Sequence, residues 1–136
     1  MKVVDILMVE DDYLDTLDIK RTLDKMGLQY HMQVATNGEE AIGQLEVRGE
    51  QGGKLPDVVL IDINMPKMNG LELLSVIRGR EDWKALKCFV VTTSEERVDR
   101  DKARQLGVSG YIVKPFKINN PSSIDSFNLM IDLMNM

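Results

Sequence analysis

Four short stretches of this 136-residue chain carry residue types that do chemistry. Glu10 and Asp11 follow the apolar run Ile6-Leu7-Met8-Val9, and Asp62 closes Val58-Val59-Leu60-Ile61. Thr92-Thr93-Ser94 follow Phe89-Val90-Val91, and Lys114-Pro115 follow Tyr111-Ile112-Val113. Carboxylates packed within a few ångströms repel one another by several kcal/mol at intermediate dielectric, so Glu10, Asp11 and Asp62 could converge only around a cation. A hard divalent ion with oxygen ligands meets that need. Mg²⁺ suits best, because it takes one or two carboxylates plus waters and phosphate oxygens in preference to a closed protein cage. The set offers no histidine or cysteine, which argues against zinc. Three carboxylates, one divalent ion and the Lys114 ammonium together carry about zero charge, and a site so balanced can accept a phosphoryl group.

The elements that must position these residues are legible in the same runs. With Met32-Gln33-Val34 they make five strands, and three of the runs are almost continuously apolar, as in strands covered on both faces by helices. Stretches with helical spacing lie between them. Leu14, Leu17, Leu23 and Met26 form a stripe ending at Gly27, and Ala41, Ile42 and Leu45 form a second, with Asn37 as its cap and Glu40 three positions on. Leu71, Leu74 and Ile77 make a third after Asn69-Gly70; Val98, Ala103 and Leu106 make a fourth ending at Gly107. Ile124, Phe127, Ile131 and Met134 make a fifth, starting near Ser122. Strands alternating with helices predict an α/β, doubly wound parallel sheet with right-handed crossovers and helices on both faces. In such a sheet the ligand site lies at the carboxyl ends of the strands, where all four chemical stretches stand. The polar, glycine-rich segment from Arg48 to Pro56 reads as a surface loop within one domain.

Val9-Glu10-Asp11-Asp12, Asp62-Ile63-Asn64-Met65-Pro66, Thr92 and Lys114-Pro115-Phe116 occur in that order, with Thr92 30 positions after Asp62 and Lys114 22 positions after Thr92. In these motifs the chain resembles, over essentially its whole length, the response-regulator receiver domain of two-component signalling, of the stand-alone type found among chemotaxis and cyanobacterial-phytochrome regulators. The resemblance implies a flavodoxin-like five-stranded sheet of order 2-1-3-4-5 with five helices in three layers, and one receiver domain over residues 1–136 without an effector domain. It implies that Asp62 is the phosphoacceptor and receives its phosphoryl group from a phosphohistidine on a sensor histidine kinase, hybrid kinase or phosphotransfer protein. Mg²⁺, or Mn²⁺, would be held by Asp11, Asp62 and the backbone carbonyl of Asn64, with Glu10 acting through a metal-bound water. Lys114 would pair with Asp62 and then with the transferred phosphoryl oxygens, across a cis Lys114-Pro115 bond.

The same resemblance makes Thr92 the switch hydroxyl and Tyr111 the aromatic switch, read out on the surface of the fourth helix, fifth strand and fifth helix. Asn64 and Ser94 take the positions that tune self-dephosphorylation. The output would go to a downstream protein, from a monomer or a phosphorylation-linked homodimer.

Two rival functions fit less well. A haloacid-dehalogenase-type phosphatase needs a general acid two residues after its nucleophile, and Asn64, an amide, cannot shuttle that proton. The chain therefore reads as a phosphoacceptor and not an enzyme that turns over. Flavin or nucleotide binding on this fold needs a glycine-rich phosphate loop after the first strand, where Glu10-Asp11-Asp12 would instead repel phosphate without a metal. His31, the sole histidine, precedes the second strand and reads as structural; Cys88 reads as a buried inert thiol; Met130, Met134 and Met136 read as core and frayed end ahead of a partner patch. A composition 43% hydrophobic and 29% charged is that of a globular domain, and the net charge of −5 disfavours nucleic acid and anionic membranes as partners. Without a signal segment or a membrane-length apolar run, a cytoplasmic location is expected.

Overall fold

The computed structural model describes residues 3–114 together with Leu129, Asp132, Leu133 and Asn135. Each apolar run becomes a strand: β1 (Val4–Val9), β2 (Tyr30–Ala35), β3 (Val58–Ile61), β4 (Cys88–Thr92) and β5 (Gly110–Val113). The intervening stretches become α1 (Tyr13–Lys25), α2 (Gly38–Glu50), α3 (Gly70–Gly79) and α4 (Arg97–Gln105). All strand pairs are parallel, in the order β2-β1-β3-β4-β5. The whole fifth helical stripe (Ile124, Phe127, Ile131 and Met134), the Lys114-Pro115 bond, Met130 and Met136 lie outside the described residues; Leu129, Asp132, Leu133 and Asn135 are helical.

Alternation along the strands sorts the core into two layers. Leu7, Val9, Val59, Ile61, Cys88 and Val90 face one side, where Ala41 and Leu45 of α2 and Leu73, Leu74 and Ile77 of α3 cover them. Val4, Ile6, Met8, Val58, Leu60, Phe89 and Val91 face the other, packing against Ile19 and Leu23 of α1 and against Leu129 and Leu133. Successive strand side chains point to opposite faces, so a continuously apolar strand requires helices on both.

Local signals set the helix boundaries. Asp12 caps α1 by accepting from the Leu14 and Asp15 amides, and Asn37 caps α2 by accepting from the Glu40 amide at 2.9 Å. Asn69 and Glu72 close a capping box on α3. Gly27 and Gly107 end α1 and α4 in the left-handed conformation, at φ 71° and 72°.

Three features depart from the sequence reading. Leu14 is 68% exposed and Val98 60% exposed, although both belong to the expected apolar stripes. On α1 the buried face keeps Leu23 of the expected stripe but runs otherwise through Thr16 and Ile19, with the Thr16 hydroxyl bonded back to the Asp12 carbonyl. The expected loop from Arg48 is helical to Glu50, because the Arg48 guanidinium is fixed by both oxygens of Asp5, at 2.7 and 3.1 Å, and by Gln33. Trp83, between α3 and β4, is buried beneath the Arg80 guanidinium, 3.6 Å from the ring centroid. Among the described residues no helix is long and apolar enough to cross a membrane.

Burial pushes the Cys88 thiol up to about 11. Cys88 is therefore expected to resist a thiol reagent at pH 8 in the native protein and to react with one equivalent after denaturation; fast native-state labelling would contradict its placement in the core. At the other end of the sheet, α3 begins so close to β3 that a Cβ on Gly70 would overlap the Asp62 backbone carbonyl. Gly70→Ala is expected to cost about 1–3 kcal/mol in urea unfolding, the range of overpacked sites.

Candidate functional site

The chain runs from β1 to β2 on one side and then crosses to β3 on the other, so a crevice opens between the carboxyl ends of β1 and β3. Hydrogen bonds that extend the sheet hold the residues at its rim. The Glu10 amide donates to the Ala35 carbonyl at 2.9 Å, the Asp62 amide to the Val9 carbonyl at 3.0 Å, and the Lys114 amide to the Thr92 carbonyl at 2.7 Å. The backbone positions of the three groups are thereby fixed by the most rigid part of the fold.

Their side chains meet. Glu10, Asp11 and Asp62 each offer a carboxylate oxygen within 4.8 Å of the others. Glu10 and Asp62 are buried, and Asp11 opens to solvent. The Lys114 ammonium reaches in from the end of β5 and donates to Glu10 Oε1, to Asp15 Oδ2 at 2.7 Å and to Asp62 Oδ2 at 3.3 Å. The other Asp62 oxygen accepts from the Asn64 amide at 3.3 Å, and Glu10 Oε2 from the Asp12 amide at 3.2 Å. Both buried carboxylates are thus oriented by backbone as well as by lysine.

One ammonium does not neutralise this cluster. Burial pushes the Glu10 carboxyl up to about 7; the Lys114 hydrogen bond opposes that rise and Asp62 adds to it. Burial also works against the Lys114 charge, but its bonds to Asp15 and Glu10 and the field of Asp62 outweigh burial and hold its pKa above the ordinary lysine value. Lysine stays charged while its carboxylate partner still draws a proton, so negative charge is in excess. Oxygen-only donors at this separation, with surplus negative charge and an open side at Asp11, fit a hard divalent cation.

Residues 6–122 match the family described as the response regulator receiver domain. The chain belongs to the response-regulator receiver family. It is 32% identical over 111 residues to the chemotaxis protein CheY1 of Helicobacter pylori, covering 82% of this chain and 85% of CheY1. Among solved structures, the bacteriophytochrome response regulator AtBRR superposes with a TM-score of 0.80 at 32% identity, covering all of this chain and 96% of AtBRR. The Mn²⁺-bound form of response regulator Rcp1 superposes with a TM-score of 0.74 at 28% identity, over 93% of this chain and 88% of Rcp1. Membership places the chain in two-component phosphorelay signalling and agrees with the observed strand order.

Thr92, Ser94 and Tyr111, all singled out in the sequence, lie along one hydrogen-bonded path at the rim. Thr92, fully buried at the end of β4, accepts from the Ser94 amide at 3.3 Å. Ser94 donates its hydroxyl to Asp99 of α4 at 2.7 Å, and its carbonyl accepts from the Tyr111 hydroxyl at 3.0 Å. The Tyr111 ring is buried, with the Arg100 guanidinium 5.2 Å from its centroid, and burial raises its phenol above the ordinary tyrosine value. Asn64 is exposed beside Asp62. His31 is exposed on the edge strand β2, paired in register with Asp5 and so toward the opposite end of the sheet from the rim. Asp15 was not singled out in the sequence. It stands one helical turn beyond Asp11, in the first turn of α1, where an acid ordinarily serves the helix dipole.

The excess negative charge predicts that millimolar Mg²⁺ or Mn²⁺ raises the melting temperature by about 2–5 °C and that Asp11→Asn removes most of the rise. Thermal melts with and without metal check this; no metal response in the unaltered chain would contradict it.

Proposed function

We propose that this chain is a phosphoryl-accepting signalling switch, a single receiver domain spanning residues 1–136 in which Asp62 takes a phosphoryl group from a phosphohistidine on a partner kinase or phosphotransfer protein. The observation that carries this reading is the convergence of the Glu10, Asp11 and Asp62 oxygens with the Lys114 ammonium at the crevice of the sheet.

An Asp62 oxygen attacks phosphorus in line, the bond from phosphorus to the donor imidazole breaks, and its electron pair leaves on the imidazole nitrogen. The product is an acyl phosphate on Asp62 and a free histidine. Asp11, Asp62 and the backbone carbonyl of Asn64 would hold a divalent cation, with Glu10 acting through a bound water, and the cation would supply charge neutralisation to the phosphoryl oxygens. Mg²⁺ is the proposed resident, with Mn²⁺ a substitute. Lys114 already donates to Asp62, so it needs no large movement to donate to a phosphoryl oxygen. The Asn64 amide orients the attacking carboxylate. Because the Asn64 side-chain amide cannot act as a general acid or base, the acyl phosphate decays slowly, at a rate set by the side chains of Asn64 and Ser94 at its edge.

The switch is proposed to start at Thr92. When its hydroxyl turns to donate to a phosphoryl oxygen, Ser94 and the segment 93–96 follow, and the Tyr111 hydroxyl and Asp99 follow through their bonds to Ser94. The face formed by α4, β5 and the C-terminal helix then presents a changed surface to a downstream protein or to a second copy of the chain.

With Mg²⁺ and acetyl phosphate, the chain is expected to take up about one base-labile phosphoryl group, and Asp62→Asn to take up none. Intact mass and released phosphate measure both; many rapid turnovers of phosphate release would overturn the reading in favour of a hydrolase.

A further inference from the structure

We propose that Asp15 is a positioning residue for phosphoryl transfer, holding the Lys114 ammonium beside Asp62 through the whole cycle; the proposal rests on the reading of Asp62 as phosphoacceptor. The three protons of the ammonium go to three carboxylates, those of Glu10, Asp15 and Asp62. Two of these partners change during the cycle. Glu10 and Asp62 lie in the cluster suited to a divalent cation, and Asp62 loses its charge on that oxygen when it becomes an acyl phosphate. Asp15 belongs to neither change.

Asp15 is also well placed to act as an anchor. Its carboxylate lies at 2.7 Å from Nζ, against 3.3 Å for Asp62. Its backbone is fixed in the first turn of α1, where its amide donates to the Asp12 cap at 3.3 Å. The Lys114 side chain is largely buried, and of the three carboxylates its ammonium bonds, Asp15 is the one outside the cluster suited to a cation. With Asp15 in place, the lysine meets an incoming phosphoryl oxygen already oriented. Without it, the ammonium shifts toward whichever carboxylate remains unneutralised, and small displacements of a charge-stabilising group cost rate steeply.

The test measures the second-order rate constant for phosphoryl uptake from acetyl phosphate at saturating Mg²⁺, in the full chain. Asp15→Asn, which keeps side-chain shape at a partly exposed position and leaves the Asp12 cap intact, is expected to lower the rate constant about tenfold. Asp15→Glu is expected to recover most of that loss. In a Lys114→Gln background, Asp15→Asn is expected to change nothing further, because it acts only through the lysine. An unchanged or faster rate in Asp15→Asn overturns the proposal, as does an equal loss in the Lys114→Gln background. Asp62→Asn is measured alongside: uptake persisting there overturns both the proposal and the reading beneath it, whereas uptake lost there with Asp15→Asn unaffected overturns the proposal alone.

Discussion

One buried ammonium shared among three carboxylates is the interaction on which the site depends. Lys114 holds Glu10, Asp15 and Asp62 together from the end of β5, while Asp11 adds a further acid at the rim. Left alone, such a cluster would force its members apart or protonate them, and Glu10 already leans that way. The arrangement is therefore a compromise between like charges, with room for more positive charge, and it can be relieved by a cation. In the proposed function, that unrelieved demand would let a phosphoryl group, itself anionic, arrive together with a metal without overcharging the crevice.

The fold makes this compromise possible. Parallel strands put all their carboxyl ends on one edge, and the order β2-β1-β3-β4-β5 sets the Glu10 strand directly beside the Asp62 strand. The two-layer core fixes those strands from both faces, and amide bonds at Glu10, Asp62 and Lys114 continue the sheet into the site. Repulsion is thus resisted by backbone geometry as well as by the Lys114 side chain. Ser94 extends the same network outward, joining Thr92, Asp99 and Tyr111 through its amide, hydroxyl and carbonyl, and so links the rim to α4 and β5 by three hydrogen bonds.

Strand placement and the chemical rim were legible in the sequence, because a continuously apolar run has few alternatives to a doubly covered strand and a polar residue ending it must stand at the sheet's edge. The buried faces of the helices were less legible. Leu14 and Val98 fit the helical period but lie on exposed sides, because α1 turns Thr16, Ile19 and Leu23, and α4 turns Ala103, toward the core. Arg48 extended α2 past its expected end through a partner 43 positions away, a contact no local pattern encodes. Asp15 was hidden for a related reason: an acid in a helix's first turn looks like a dipole partner until β5 brings Lys114 beside it.

Whether Asp62 is the phosphoacceptor is decided by locating the phosphoryl group chemically in the unaltered chain. After brief incubation with Mg²⁺ and acetyl phosphate, borohydride reduces an acyl phosphate on aspartate to homoserine, which peptide mass spectrometry then places in the sequence. Homoserine at position 62 and at no other aspartate is the expected result; modification at another carboxylate, or a phosphoryl group carried by His31, would contradict that role.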